Sequence, residues 1–213
     1  MVTSLTGSLL LLLNICKMTG LIEFETERLR LRQWLPTDRE PFSALNADSR
    51  VMEFFPAPLD RAASDTMADR CESLIAERGW GFWAAETKDT HEFIGFIGLH
   101  IPIPELPFSP CVEIGWRLAF QYWGKGFAIE AAHGALRVGF GSLELLEIVS
   151  FTSVFNLRSR AVMRRLGMQE TGETFEHPNV PIGSPLRQHC LYRLSRVQWL
   201  ANTTWLYSIN FDV

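Results

Sequence analysis

Apolar positions recur along the chain with two distinct periods, and their order predicts a sequence of strands and helices. Phe24, Thr26, Leu29 and Leu31 alternate through Glu23–Arg32 in the manner of a first strand. Pro36 and Asp38 open a short helix through Leu45. From Asp60 to Arg78 the stripe Ala63, Met67, Cys71, Leu74, Ile75 has helical spacing. Gly81–Glu86 and Phe93–Ile101 read as two strands joined by the turn Thr87–Glu92, and Val112–Leu118 reads as the next strand. A helix follows with Ala128, Ala131, Ala132, Ala135 and Val138 on one face. Leu145–Val154 is a strand, Leu157–Leu166 a helix and Gln188–Leu194 a last strand. Between these last two, Phe175–His189 carries Pro178, Pro181 and Pro185 and is expected to form a defined loop.

One junction carries chemistry. Gln121-Tyr-Trp-Gly-Lys-Gly-Phe-Ala128 lies between the Val112–Phe120 run and the alanine-faced helix. Glycines let successive backbone N–H groups turn into one concavity, because no Cβ blocks the approach. The helix that starts there adds orphan N–H groups and the positive end of its dipole. Strand, glycine loop and helix thus form a cradle for a pyrophosphate. It is neither a P-loop, since no Gly-Lys-Ser/Thr follows, nor a three-glycine dinucleotide loop.

The spacing Gln121-x-x-Gly124-x-Gly126 resembles the coenzyme A pyrophosphate loop of the GNAT superfamily of N-acetyltransferases. The longer string Glu113-Ile-Gly-Trp-Arg-Leu118, Tyr122–Ala128 and Glu130-Ala131 is similar to the branch of RimJ/RimL-type ribosomal-protein N-terminal acetyltransferases. Asn156-Leu-Arg-Ser159, with Gly167-Met168 at the end of the helix it opens, matches the superfamily's next block; Asn156 also stands where an N-cap belongs. The likeness runs from about Ile22 to Ser195. It implies an α/β (α+β) GNAT fold, in which helices flank a mixed, mostly antiparallel sheet whose two central strands splay to admit acetyl-CoA. It further implies acetyl transfer to a primary amine, either a protein N-terminal α-amine or a small-molecule amine.

On that resemblance, the strand of Trp116 and Leu118 offers backbone groups to the pantetheine. Gly124, Gly126, Phe127 and Ala128 bind the pyrophosphate through N–H groups, with Gln121 beside them and Lys125 as a point charge. Asn156 corresponds to a cofactor-contacting asparagine. Glu113 is the candidate base, its alternative being an exposed strand residue opposite a cation. Ser159 is the candidate partner of the departing thiolate, because the tyrosine many relatives carry four residues further on is Met163 here. Neither a cysteine nor a serine lies in a nucleophile-activating pattern, so direct attack in a ternary complex is expected over a covalent intermediate. Glu176 and His177 are further acid–base candidates. Trp80, Trp83, Phe54 and Phe55 are aromatic candidates for the acceptor pocket, a packed core being the alternative. The arginines at 158, 160, 164 and 165 either meet the adenosine 3′-phosphate or form a solvated helix face.

Composition narrows the partners. At 213 residues with 47% hydrophobic and 21% charged positions, the chain suits one enzyme domain, over 21–200, and its net charge of −4 disfavours nucleic acid. Cys16, Cys71, Cys111 and Cys190 are scattered, as free thiols in a reducing cytoplasm would be, and no histidine or cysteine spacing implies a metal. Leu9–Leu13 is too short to span a membrane and no Lys or Arg precedes it, so residues 1–20 are expected to be a leader outside the fold. Residues 201–213 are expected to be an apolar tail, packing on this domain or on a second copy in a homodimer. Two rival readings stay open: a catalytically weak acyl-CoA-binding sensor, and a transferase of another acyl group such as succinyl. Basic residues facing the acyl end would favour the latter, and the sequence identifies none.

Overall fold

A computed structural model describes residues 20–208. The expected leader lies outside them but for Gly20, as do residues 209–213 of the tail. Eight strands form one sheet: β1 (Phe24–Glu25), β2 (Leu29–Arg32), β3 (Phe82–Thr87), β4 (Phe93–His100), β5 (Glu113–Leu118), β6 (Glu147–Ser153), β7 (Gln169–Glu176) and β8 (Gln188–Ser195). Their spatial order is β1-β2-β3-β4-β5-β6-β8-β7. Every pairing is antiparallel except β5 with β6, which are parallel and share a single register pair, Glu113 with Val149.

Helices cover both faces. α1 (Arg39–Ala47) and α2 (Arg61–Arg78) lie on one, where Phe42 of α1 meets Phe96 of β4 with ring centroids 6.0 Å apart. α3 (Phe127–Arg137) and α4 (Leu157–Arg165) lie on the other, and α5 (Arg196–Ser208) closes the chain. α3 approaches so closely that a Cβ on Gly134 would stand 2.3 Å from the Phe24 ring. Register assigns the faces: Glu113 pairs with His100 and Arg117 with Phe96 on the α1/α2 side, whereas Trp116 pairs with Ile97 and Ile114 with Leu99 on the α3 side. Leu29, Leu31, Trp83, Ile97, Leu99, Ile114, Ala131 and Ala135 are fully buried between sheet and helices. The helix ends follow their local sequence. Asp60 Oδ1 accepts from the Ala63 N–H at 2.8 Å to start α2, and Gly79 ends it at φ +82°.

Two expectations need correction. Glu23–Arg32 is not one strand but two, because Thr26 N–H bonds Leu29 O at 2.8 Å and turns the chain between β1 and β2. The segment expected to be loop from Phe175 begins inside β7, a strand whose exposed, polar residues and bulge between Glu170 and Thr174 hide the alternation that identifies inner strands. The last described helix, α5, runs through residue 200, after which the expected tail begins.

Candidate active site

The parallel pair β5/β6 opens as soon as it forms. Val149 N–H bonds Val112 O and Ser150 Oγ bonds Ile114 O, both at 2.9 Å, and no ladder bond continues beyond. The even-numbered residues of β5 thus turn their backbone groups toward β6. Leu118 O is taken by Trp123 Nε1 at 2.8 Å, which leaves the N–H and C=O of Trp116 directed into the cleft. A cavity of about 830 Å³ fills this opening and is lined from both sides of the sheet. The expected donor-site residues Trp116, Leu118, Gly124, Gly126, Phe127, Ala128 and Asn156 all stand in its wall; Gln121 and Lys125 are exposed and stand outside it.

The glycines are required by backbone conformation. Gly124 has φ +73° and Gly126 +85°, the latter forming the N-cap of α3. A Cβ on Gly124 would meet nothing within 4 Å, so the loop is open above it. The first bond of α3 is Glu130 N–H to Gly126 O at 3.0 Å, so the N–H groups of Phe127, Ala128 and Ile129 lie outside the ladder at the positive end of the helix. This arrangement fits a pyrophosphate. Sequence reading missed its brace. Glu130 accepts from Thr26 Oγ1, Arg28 N and Arg28 Nε at 2.5, 2.7 and 2.6 Å, and Arg28 Nη1 holds Lys125 O at 3.0 Å. Lys125 contributes this carbonyl, while its ammonium lies 5.5 Å from the Tyr122 ring centre.

At the start of α4, Asn156 caps the helix by accepting from Ser159 N–H at 3.1 Å. Its Nδ2 donates to Thr152 Oγ1 at 3.1 Å and to Ser159 Oγ at 3.2 Å. With its oxygen already accepting, Ser159 has its own proton to direct elsewhere, and it lines the cavity. Met163, in place of tyrosine, is buried in the same wall. Of the arginines nearby, Arg160 pairs with Glu170 at 2.8 Å and Arg164 donates to Tyr192 Oη at 3.3 Å, whereas Arg165 and the Glu53-paired Arg158 line the cavity.

On the opposite face of the sheet, Glu113 lines the cavity where the cleft closes. Burial raises its pKa to about 8. It does not face a cation: its cross-strand neighbour is His100, stacked on Phe82 at 5.0 Å, which burial, with Arg70 and Arg78 adding, brings down to about 4. Arg117 stands four residues along on the same face. Its Nη1 donates to Asn46 Oδ1 at 2.6 Å, and its guanidinium lies 4.1 Å from the Phe55 ring centre. Phe54 and Phe55 line this half of the cavity, whereas Trp80 and Trp83 are core residues. The far wall brings together Phe151, His177 and His189, the two imidazoles 4.8 Å apart, and burial, with Arg187 adding, lowers His177. Glu176 lies outside the wall and pairs with Arg187 at 3.0 Å. Among the described residues, no cluster could hold a metal ion, Cys71, Cys111 and Cys190 are unpaired, and no helix is long and apolar enough to cross a membrane.

An anion cradle on one face, a titratable carboxyl on the other and a cleft between them suit an acyl-CoA-dependent transferase. The chain belongs to the GNAT acetyltransferase family: residues 28–169 match the Acetyltransferase (GNAT) domain. It is 29% identical over 184 residues to the FsC-acetyl coenzyme A-N(2)-transacetylase of Aspergillus fumigatus, covering 82% of this chain and 77% of that one. It is also 29% identical over 152 residues to the N-acetyltransferase YoaA of Bacillus subtilis, covering 70% of this chain and 83% of that one. The crystal structure of an acetyltransferase from Agrobacterium tumefaciens superposes with a TM-score of 0.66 at 28% identity, covering 83% of this chain and 96% of that one. The chain is therefore an acetyltransferase that works with an acyl-CoA donor and an acceptor amine.

Proposed function

We propose that the donor is acetyl-CoA and that the acetyl group passes directly to a primary amine in a ternary complex, as in the RimJ/RimL-like branch. One observation carries the reading: a single cavity joins the glycine cradle on one face of the sheet to Glu113 on the other. The N–H groups of Gly126, Phe127 and Ala128 bind the pyrophosphate. Trp116 receives the pantetheine amide, and a backbone N–H of β5 polarises the thioester carbonyl. Glu113 accepts the proton that the amine loses as its nitrogen bonds the carbonyl carbon. A carboxyl with a pKa of about 8 matches an α-amine, whose pKa is ~7.7–8.0, better than a lysine at ~10.4. Collapse of the tetrahedral adduct breaks the C–S bond, and Ser159 donates a hydrogen bond to the departing thiolate. No side chain forms a covalent intermediate.

Calorimetric titration with acetyl-CoA, comparing wild type with Gly124→Glu and Gly126→Glu, tests the cradle. Micromolar binding lost in both variants supports it, and absence of binding by folded wild-type protein overturns it. A screen of peptides and small amines, read by free thiol, then tests catalysis. Tight binding without thiol release from any amine would favour the acyl-CoA sensor.

A further inference from the structure

We infer that the acceptor carries a carboxylate as well as its amine, and that Arg117 receives it. The inference rests on the proposed acetyl transfer and names the substrate class for that same site. Arg117 is 8% exposed and lines the cavity, yet no ion pair reaches it among the described residues. Such a cation is costly to bury unless something compensates its charge. Asn46 Oδ1 holds Nη1 and is itself fixed by its Nδ2, which donates to Ser64 Oγ at 2.9 Å. Nε has no hydrogen-bond partner. Nη1 is thus anchored and Nε is enclosed, leaving Nη2 as the guanidinium nitrogen that a carboxylate in the cavity can reach with a charge-assisted hydrogen bond.

Charge around it points the same way. Among the described residues Glu113 is the sole carboxylate-bearing residue in the cavity wall, against Arg70 and Arg117 on this face and Arg165, with the Glu53-paired Arg158, on the donor face. A simple cationic amine would enter a half-site already rich in positive charge, whereas a short peptide or other extended aminocarboxylate complements both Glu113 and Arg117. The two residues lie four positions apart on one face of β5, about 13 Å between Cα atoms. Amine and carboxylate should therefore be separated by several bonds. Gly115, between them, leaves room for the Phe82 ring, 3.2 Å from where its Cβ would be.

The test is acetyl transfer to diglycine, triglycine and tetraglycine, whose amines are α-amines, each against its C-terminal carboxamide, by thiol release. Binding of the same compounds to the CoA-loaded protein is measured in parallel. Wild type should prefer acid to amide by about 10- to 100-fold in kcat/KM for at least one chain length. Arg117→Met should abolish that preference and Arg117→Lys reduce it, with acetyl-CoA affinity unchanged in both. No advantage of acid over amide anywhere in the series, in turnover or binding, overturns the inference, and that comparison needs no variant. Equal loss for acid and amide in Arg117→Met overturns it too. A wild-type preference for succinyl-CoA over acetyl-CoA that Arg117→Met removes would place the anion on the donor, which also refutes the acceptor assignment. Failure of the underlying acetyl-transfer reading shows separately, as loss of acetyl-CoA binding by wild type.

Discussion

Replacing Glu113 with glutamine should flatten the dependence of both stability and rate on pH. Burial holds this carboxyl at about 8 against its ordinary 4.5. Below about 4.5 it is protonated whether the chain is folded or unfolded, and it places no burden on the fold. Between the two values the folded chain keeps a proton that the unfolded chain releases, so each pH unit of increase removes about 1.4 kcal/mol of stability. The loss is complete once pH passes about 8. From pH 5 to pH 8 that amounts to about 4 kcal/mol, which water entering the cavity reduces to about 2–4 kcal/mol. Glutamine has the same shape and no proton to lose, so the stability of Glu113→Gln relative to wild type should rise by that amount across the interval. Urea unfolding of both proteins at pH 5, 6, 7 and 8 measures it, and the other titrating groups cancel in the difference. The same group governs rate: about one part in ten is ionised at pH 7, so wild-type kcat/KM should rise about tenfold toward pH 9. Glu113→Gln should keep only the rise due to the amine's own titration. Parallel unfolding profiles, together with a wild-type rate rise retained by the variant, would refute the assignment of Glu113 as a buried base.

Ser159→Ala should lower kcat about tenfold without changing the Kd of acetyl-CoA, since a thiol of pKa ~8.5 is already a good leaving group; an unchanged kcat removes Ser159 from the chemistry. Gly126→Ala imposes φ +85° on a residue with a Cβ and should cost about 1–2 kcal/mol of stability and weaken acetyl-CoA binding, checked by melting and calorimetry. Arg28→Met frees Lys125 O and removes one of the three bonds to the Glu130 carboxylate, and should raise the acetyl-CoA KM several-fold while leaving kcat near wild type. Asp38→Asn strips the carboxylate that meets Arg32 at 2.7 and 2.9 Å in a buried pair, and should cost about 3 kcal/mol in urea unfolding.

The cradle was legible in the sequence because its signals are local. Two glycines that must take positive φ, an apolar strand before them and an alanine face after them occupy one stretch of chain, and the same holds for Asn156 and Ser159. What stayed hidden depends on pairing across the fold. Glu130 reads as a helix residue until β1 and β2 bring Thr26 and Arg28 to it across more than a hundred positions. The surroundings of Glu113 follow from the β4–β5 register, which sets it beside His100 and not beside a cation. Arg117 offered a signal that went unused for its side chain: a lone cation inside an apolar strand. β7 escaped for the opposite reason, since an edge strand with polar residues on both faces has no period to detect.

The β5/β6 cleft passes between the two faces of the sheet, with the coenzyme cradle on the α3 side and Glu113 with Arg117 on the α1/α2 side. On the proposed assignment, donor and acceptor reach the reacting carbon through separate doors, and neither blocks the other's way in or out. Such a layout favours a random-order steady state. Double-reciprocal plots should intersect, and free CoA should compete with acetyl-CoA but not with the amine. The enzyme could then exchange spent coenzyme while an acceptor stays bound, so that its throughput follows the cell's ratio of acetyl-CoA to CoA.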